Sequence, residues 1–382
     1  MGAESLQSKP SGRRRVGVAV FGDVVVSSFD VSGETKPGGT DMRGTDRHHG
    51  QVYAALDLGT NNCRLLVARP SRDGFRIIDA FSRIVRLGEG LTQTGRLGQP
   101  AIDRTLAALE VCRSKMEMRG VTRARLIATE ACRIAANGSD FIERVRDEVG
   151  LYLEVVDRET EAHLAATGCA ALADSEAESV VLFDIGGGSS EIVWLARDPR
   201  GSLSPHLSDA QMRGRVRLWA SLQLGVVTIA ERFGGFDVTP ELYQRMVDHV
   251  SGELAPFLAR TASERRCQRF HLLGTSGTVT TIAGVHLGLT RYDRRRVDGL
   301  WMGDDEVSGA IDHLRAMSYA DRVANGCIGP ERADLVLAGC AIFDAIRQAF
   351  PAERIRIADR GLREGILMQL MSADRVWHPT GF

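Results

Sequence analysis

Past residue 50 the apolar positions fall into short runs that alternate with helically spaced stretches. Val52–Asp57 and Cys63–Arg69 are β-rich runs with a Gly/Asn turn between them, and Phe75–Ser82 and Ile84–Leu87 read as two further strands. Ile102, Leu106, Leu109, Cys112 and Met116 recur at helical spacing, and Gly120 follows, which predicts a helix over 102–118. A strand is expected at Arg125–Ala128 and a helix from Ser139-Asp140 through Val149. Leu153–Val156 reads as a strand and the alanine-rich Thr160–Leu172 as a helix. At Ser179–Phe183 a strand begins and the pattern restarts. Alternating strands and helices place the chain in the α/β class.

The restart is a repeat. Ala55-Leu56-Asp57-Leu58-Gly59-Thr60-Asn61-Asn62-Cys63-Arg64-Leu65-Leu66-Val67 aligns without a gap on Leu182-Phe183-Asp184-Ile185-Gly186-Gly187-Gly188-Ser189-Ser190-Glu191-Ile192-Val193-Trp194. Each copy is an apolar strand, Asp, an apolar residue, Gly, a small polar tip and a second apolar strand. A spacing of one domain length means two similar lobes rather than a solenoid of short units.

Composition narrows the partners. The chain has 382 residues, 43% hydrophobic and 25% charged, ample for a sizeable core. With 48 basic and 49 acidic residues the net charge is -1. No overall basic field exists to hold nucleic acid or an anionic membrane, so neither is an expected partner and any anion site must be local. Seven scattered cysteines, never spaced C-x-x-C, argue against a disulfide framework or structural zinc and for a reducing cytoplasm. No apolar run approaches the ~20 residues of a membrane helix. Arg13–Arg15 before Val16–Gly22 imitates a signal peptide, but Asp23 interrupts the apolar stretch. Residues 1–50 are rich in Gly, Ser, Thr, Arg and Asp, with one β-like patch at Val16–Phe29, and read as a disordered extension.

The repeated hairpin has a chemical reading. Small residues at its tip let an anion approach consecutive backbone N–H groups, which form a nest. The aspartate at the end of the first strand faces the same anion. A carboxylate there repels phosphate unless a cation lies between, which implies Mg²⁺, with Mn²⁺ as an alternative. Two such tips across a cleft would grip a phosphate from both sides. The candidate phosphate ligands are Gly59, Thr60, Asn61 and Asn62 in one tip and Gly186, Gly187, Gly188, Ser189 and Ser190 in the other. A third turn, Gly274-Thr275-Ser276-Gly277, follows the apolar strand Phe270–Leu273 and has the same composition.

These three turns resemble the phosphate-binding motifs of the actin-like ATPase superfold, shared by actin, sugar kinases and heat-shock chaperones. Within it the chain is similar to the exopolyphosphatase/guanosine pentaphosphate phosphohydrolase family. The resemblance extends to Arg86-Leu87-Gly88-Glu89-Gly90-Leu91 with Thr94-Gly95, Ala128-Thr129-Glu130-Ala131-Cys132-Arg133, Glu161-Ala162, Leu224-Gly225 and Asp359-Arg360-Gly361-Leu362-Arg363-Glu364-Gly365. It implies a two-lobed, duplicated ribonuclease H-like fold with an interlobe cleft. Lobe I would span 51–177, completed by a C-terminal helix near 361–374; lobe II would span 178–360, with 375–382 as a tail.

The resemblance also implies an activity, the Mg²⁺-dependent release of terminal orthophosphate from inorganic polyphosphate or guanosine pentaphosphate, and a homodimer. Glu161 matches the family's catalytic glutamate, with Glu159 its nearby competitor, and Arg133 the phosphate-binding arginine. Asp57, Asp184 and Glu191 are the expected metal set. The family usually has arginine where this chain has His163, a weaker anion ligand. The chain leaves no room for the helical C-terminal region of longer members, so long polymers are expected to be cut distributively. The basic run Arg291–Arg296 is the candidate substitute track. Two other classes remain open, an actin-like ATP-dependent kinase and a non-catalytic polyphosphate or alarmone sensor.

Overall fold

The computed structural model describes residues 18–21, 24–27, 50–72, 74–174, 176–196, 209–267 and 269–377. Two mixed β-sheets carry the architecture. The first contains β1 (Val18–Phe21), β2 (Val24–Ser27), β3 (Tyr53–Leu58), β4 (Asn62–Ser71), β5 (Gly74–Ile84), β6 (Arg123–Ala128) and β7 (Glu154–Val155). The second contains β8 (Ser179–Ile185), β9 (Ser190–Ala196), β10 (Val216–Leu222), β11 (Phe270–Thr275), β12 (Trp301–Gly303) and β13 (Arg354–Ala358). In the first, β5, β4 and β3 form an antiparallel meander, and β6 and then β7 add in parallel. In the second, β10, β9 and β8 form the same meander, and β11 and β13 add in parallel. The order is the same in both, so the repeat read in the sequence is a repeat of topology.

Strand alternation sorts side chains onto two faces. In β8, Val181 and Phe183 point into the large core of lobe II with Trp194 and Phe343. Val180 and Leu182 point the other way, onto Ala162, Ala165, Ala166 and Cys169 of the helix Arg158–Cys169. In β3, Leu56 and Leu58 pack under the helix Gln99–Met118, and Tyr53 and Ala55 pack on the helix Leu362–Ala373. Two helices, Arg158–Cys169 and Leu362–Ala373, therefore form a middle layer between the sheets. They cross in backbone contact: a Cβ on Gly168 would lie 1.9 Å from the Gly361 carbonyl oxygen, and one on Gly365 2.0 Å from that of Leu164.

Several element boundaries differ from expectation, and two of the differences bear on the hairpins and the middle layer. The two strands expected within 75–87 are one eleven-residue strand, Gly74–Ile84, held by antiparallel pairing with β4 from end to end and followed by a loop. The helix expected at 160–172 starts at Arg158, where Asp157 caps it, and its end tightens into a 3-10 turn at Ala170–Leu172. Within the N-terminal patch, β1 and β2 pair antiparallel and β2 lies beside Arg123 and Ala124 of β6. The disorder expected for the rest of 1–50, and the tail 378–382, lie outside the described residues. No helix among the described residues is long and apolar enough to cross a membrane.

Candidate active site

The hairpins β3–β4 and β8–β9 meet tip to tip over a cavity of about 120 Å³. The same bond closes each tip: Gly59 N–H donates to Asn62 O and Gly186 N–H to Ser189 O, both at 2.9 Å. The tips nearly touch. A Cβ on Gly187 would lie 3.1 Å from Thr60 Cβ and Asn61 N, and one on Gly188 2.7 Å from Thr60 Oγ1. Bare glycine on one side lets the bulkier tip on the other side close in.

Below the tips, strand register sets the charges. Asp57 pairs with Arg64 across the first hairpin, and Asp184 with Glu191 across the second. All four line the cavity, as does Glu161. Burial pushes the Asp184 carboxyl up from 3.8 to about 6, with the Asp57 charge adding and Arg64 opposing. Burial, then Asp184, lifts Glu191 from 4.5 to about 7, while Ser221 donates to it at 2.9 Å. Asp57 is raised by burial against the pull of Arg64.

Glu161 lies in the first turn of the helix Arg158–Cys169, entered through Asp157, whose carboxylate accepts from Thr160 N–H at 2.7 Å. Its carboxyl is pushed well up by burial and by Glu191, and Arg133 opposes the shift. Arg133 Nη2 reaches Glu161 Oε2 at 3.1 Å. The same guanidinium donates to Glu130 Oε2 at 3.0 and 2.5 Å and to the Val156 carbonyl at 2.5 Å. Arg158 adds a bond to Glu130 Oε1 at 2.9 Å and crosses to Gln223 in lobe II. The orientation of Glu161 is thus fixed by a buried arginine–glutamate frame.

The expected ligands divide by placement. Gly59, Thr60, Asn61, Asn62, Gly186, Gly187, Gly188, Ser189, Ser276 and Gly277 line the cavity. Ser190 does not: it is fully buried and its Oγ donates to Leu224 O at 2.9 Å. Gly274 does not either. It sits within β11, where a Cβ would meet the Phe183 ring at 2.5 Å, so it is glycine for packing. Thr275 donates to Arg360 O at 2.7 Å and lines an adjoining cavity of about 690 Å³ instead. Arg133 faces Glu161 rather than the cavity. Glu159 is exposed, and His163, buried in the helix, lines neither cavity. Within the run Arg291–Arg296, Arg294 turns inward onto Glu364 at 2.9 Å, so the run is not a free cationic track along its length.

Sequence reading missed Arg64 and Glu130. The Arg64 side chain lines both cavities and makes no hydrogen bond or salt bridge with a described residue, acting on Asp57 and Asp184 through its charge alone. The repeat alignment held the signal, since Arg64 stands where the second copy has Glu191.

Asp57, Asp184 and Glu191 line the same cavity, but among the described residues no three His, Cys, Asp or Glu side chains gather closely enough to hold a metal ion alone. The donor set nevertheless suits a hydrated cation shared with phosphate, because Mg²⁺ takes one or two carboxylates and keeps waters. Asn61 Oδ1 and Asn62 Oδ1 are buried with no hydrogen-bond partner in the protein, acceptors left for water or ligand.

A sequence profile of the Ppx/GppA phosphatase family matches residues 66–374. Exopolyphosphatase 2 of Mycobacterium tuberculosis is 27% identical over 330 residues, covering 83% of this chain and 98% of the relative. The guanosine-5'-triphosphate,3'-diphosphate pyrophosphatase of Aeromonas hydrophila is 26% identical over 329 residues, 85% of this chain and 60% of the relative. A crystal structure of the Aquifex aeolicus Ppx/GppA family member matches with TM-score 0.67 at 28% identity, covering 85% of this chain and 99% of that one. An exopolyphosphatase from Cytophaga hutchinsonii matches in fold with TM-score 0.74 at 22% identity, over 86% of this chain and 100% of that one.

Proposed function

Because the chain belongs to the Ppx/GppA phosphatase family, we propose that it hydrolyses terminal phosphoanhydride bonds of inorganic polyphosphate, guanosine pentaphosphate or both, with Mg²⁺. The observation that carries this reading is Glu161 on the cavity wall between two phosphate-sized tips, held by Arg133. Phosphoryl transfer needs little covalent chemistry from the protein beyond positioning and charge stabilisation. The tip amides and the Thr60 and Ser189 hydroxyls receive the terminal phosphate. Glu161 takes the proton of the attacking water, and its raised pKa makes it a stronger base than a free carboxylate while Arg133 favours its ionised form. Asp57 and Asp184, with Glu191 beside them, would hold Mg²⁺, whose charge offsets that of the phosphate oxygens. Glu130 receives both Arg133 and Arg158 and keeps the base from swinging away.

The test is orthophosphate release from long polyphosphate, tripolyphosphate, guanosine pentaphosphate and ATP side by side, with Mg²⁺ and with EDTA. Metal-dependent release from one of the first three without an acceptor supports the reading. Transfer only to an added acceptor would make the protein a kinase, and binding without turnover a sensor. A gel time course on long polyphosphate then separates distributive from processive cutting. The expected result is a spread of intermediate lengths.

A further inference from the structure

Behind the first tip runs the loop from Val85 to Leu91. Val85 N–H and Arg86 N–H both donate to Asn61 O at 2.9 and 3.0 Å, and Gly88 N–H donates to Thr60 O at 2.9 Å. The loop is thus the backing of that tip. The second tip has its own backing, the start of the helix Val226–Phe233: Val226 N–H donates to Gly186 O and Val227 N–H to Gly187 O, both at 2.9 Å. Glu231 of that helix joins the two backings, accepting from Gly90 N–H at 2.8 Å and Thr92 Oγ1 at 2.5 Å.

Arg86 makes a second bond between the lobes. Its guanidinium forks onto both oxygens of Asp334 at 2.9 Å and reaches Glu331 O at 3.0 Å. Asp334 lies among Arg332, Leu335 and Val336, which line the catalytic cavity. The backbone at Arg86 is costly: its φ is 47°, in the left-handed region, where only two other non-glycine residues, Ser276 and Arg375, have positive φ among the described residues. Glycine would satisfy that turn without strain. An arginine there is explained by what its side chain holds.

We propose that Arg86 is a positioning residue that latches the lobes, tying the first tip to the cavity wall of lobe II so that both tips present to one phosphate. This rests on the hydrolase reading for its kinetic consequence and not for its structural one. Two readouts separate them. The first is amide hydrogen exchange of the full chain without substrate, in peptides covering 59–62, 85–92 and 226–231. The second is steady-state hydrolysis of tripolyphosphate with Mg²⁺. The variants are Arg86→Gly, which keeps the turn relaxed, Arg86→Ala, Asp334→Asn, and the double variant Arg86→Gly/Asp334→Asn.

A bidentate charged pair of this kind is expected to hold the closed arrangement by about tenfold. Arg86→Gly should therefore melt no lower than Arg86→Ala, exchange about tenfold faster in those peptides, and lose about tenfold in kcat with a smaller change in KM. The double variant should be no worse than the poorer single one, because both remove the same contact. Unchanged exchange in Arg86→Gly, full kcat in that variant, or losses that multiply in the double variant would each overturn the latch. Faster exchange in Arg86→Gly, alongside a wild-type protein that never releases phosphate from tripolyphosphate, polyphosphate or the guanosine nucleotide, is a different outcome: the latch stands and the hydrolase reading falls.

Discussion

The two hairpins share a tip length, a closing bond and a place in their sheets, yet they differ in the charge of one cross-strand pair. The first sets Asp57 against Arg64, and the second sets Asp184 against Glu191. Duplication supplied the frame, and divergence at a single cross-strand site made one hairpin internally neutral and the other doubly acidic. The tips diverged in the opposite sense: the first carries Thr60 and Asn61, and the second is three bare glycines. Side chains on one tip fill the space left by the other. A site assembled from two copies can thus divide labour, with anion contacts in reach of Arg64 and cation demand concentrated in lobe II.

The largest effect should come from the residue that serves both hairpins. Glu161→Gln is expected to fold and bind polyphosphate while kcat falls about 10²–10⁴-fold, the range for a lost general base. Wild-type phosphate release from this variant would remove the base assignment, and an inactive Glu159→Gln beside it would move the assignment two residues. Next, Asp184→Asn and Glu191→Gln should each cost about 100-fold in kcat, ~2.7 kcal/mol of barrier, and raise the Mg²⁺ concentration needed for half-maximal rate. Asp57→Asn should raise the Mg²⁺ requirement less, since Arg64 already answers that carboxylate. Equal metal titrations for Asp57→Asn and Asp184→Asn would erase the proposed asymmetry.

A smaller effect is expected from Gly187→Ala. The added methyl must push Thr60 and Asn61 aside, an overpacking cost of about 1–3 kcal/mol. Melting temperature and rate should both fall. If Gly187→Ala matches wild type in both, the tips are further apart in solution than this arrangement requires.

The smallest effect is in stability against pH. Asp184 and Glu191 sit at about 6 and about 7, above their ordinary 3.8 and 4.5, so the folded chain holds these protons more tightly than the unfolded chain. Their contribution is fully present below about pH 4 and is lost as pH rises through 6 to 7. Metal-free protein should therefore lose stability at these groups between about pH 5 and about pH 8. Added Mg²⁺ should raise the melting temperature more at the higher pH, where protons no longer compete for the carboxylates. Calorimetry at the two pH values checks this, and an Mg²⁺ effect larger at the lower pH would contradict it.

Much of this was legible before any coordinates. The gapless alignment of residues 55–67 on 182–194 foretold twin hairpins, because a strand–tip–strand unit is local and its small residues have few other uses. The tips follow from the same local logic, whereas Glu161 was singled out by the family resemblance alone. What stayed hidden depends on neighbours remote in sequence. Gly274 and Ser190 look like phosphate ligands by type, but Phe183 and the Leu224 carbonyl occupy them. Arg133 looks like an anion ligand, but Glu130 and Glu161 reach it first. Composition cannot tell an arginine that awaits a phosphate from one already bonded to a carboxylate.

The glycine crossing of the two middle helices has a mechanical consequence. Gly168 touches the backbone at Gly361, and Glu161 lies seven residues up the same helix, about 10 Å away at 1.5 Å per residue. A lever with so short an arm is stiff at its load: tilting the helix by roughly 5° about that fulcrum moves the carboxylate about 1 Å. Displacement of a reacting group by about 1 Å is enough to cost on the order of a hundredfold in rate. At a crossing without side chains, a few degrees of rocking between the lobes would therefore be geared into an on–off change at the proposed base.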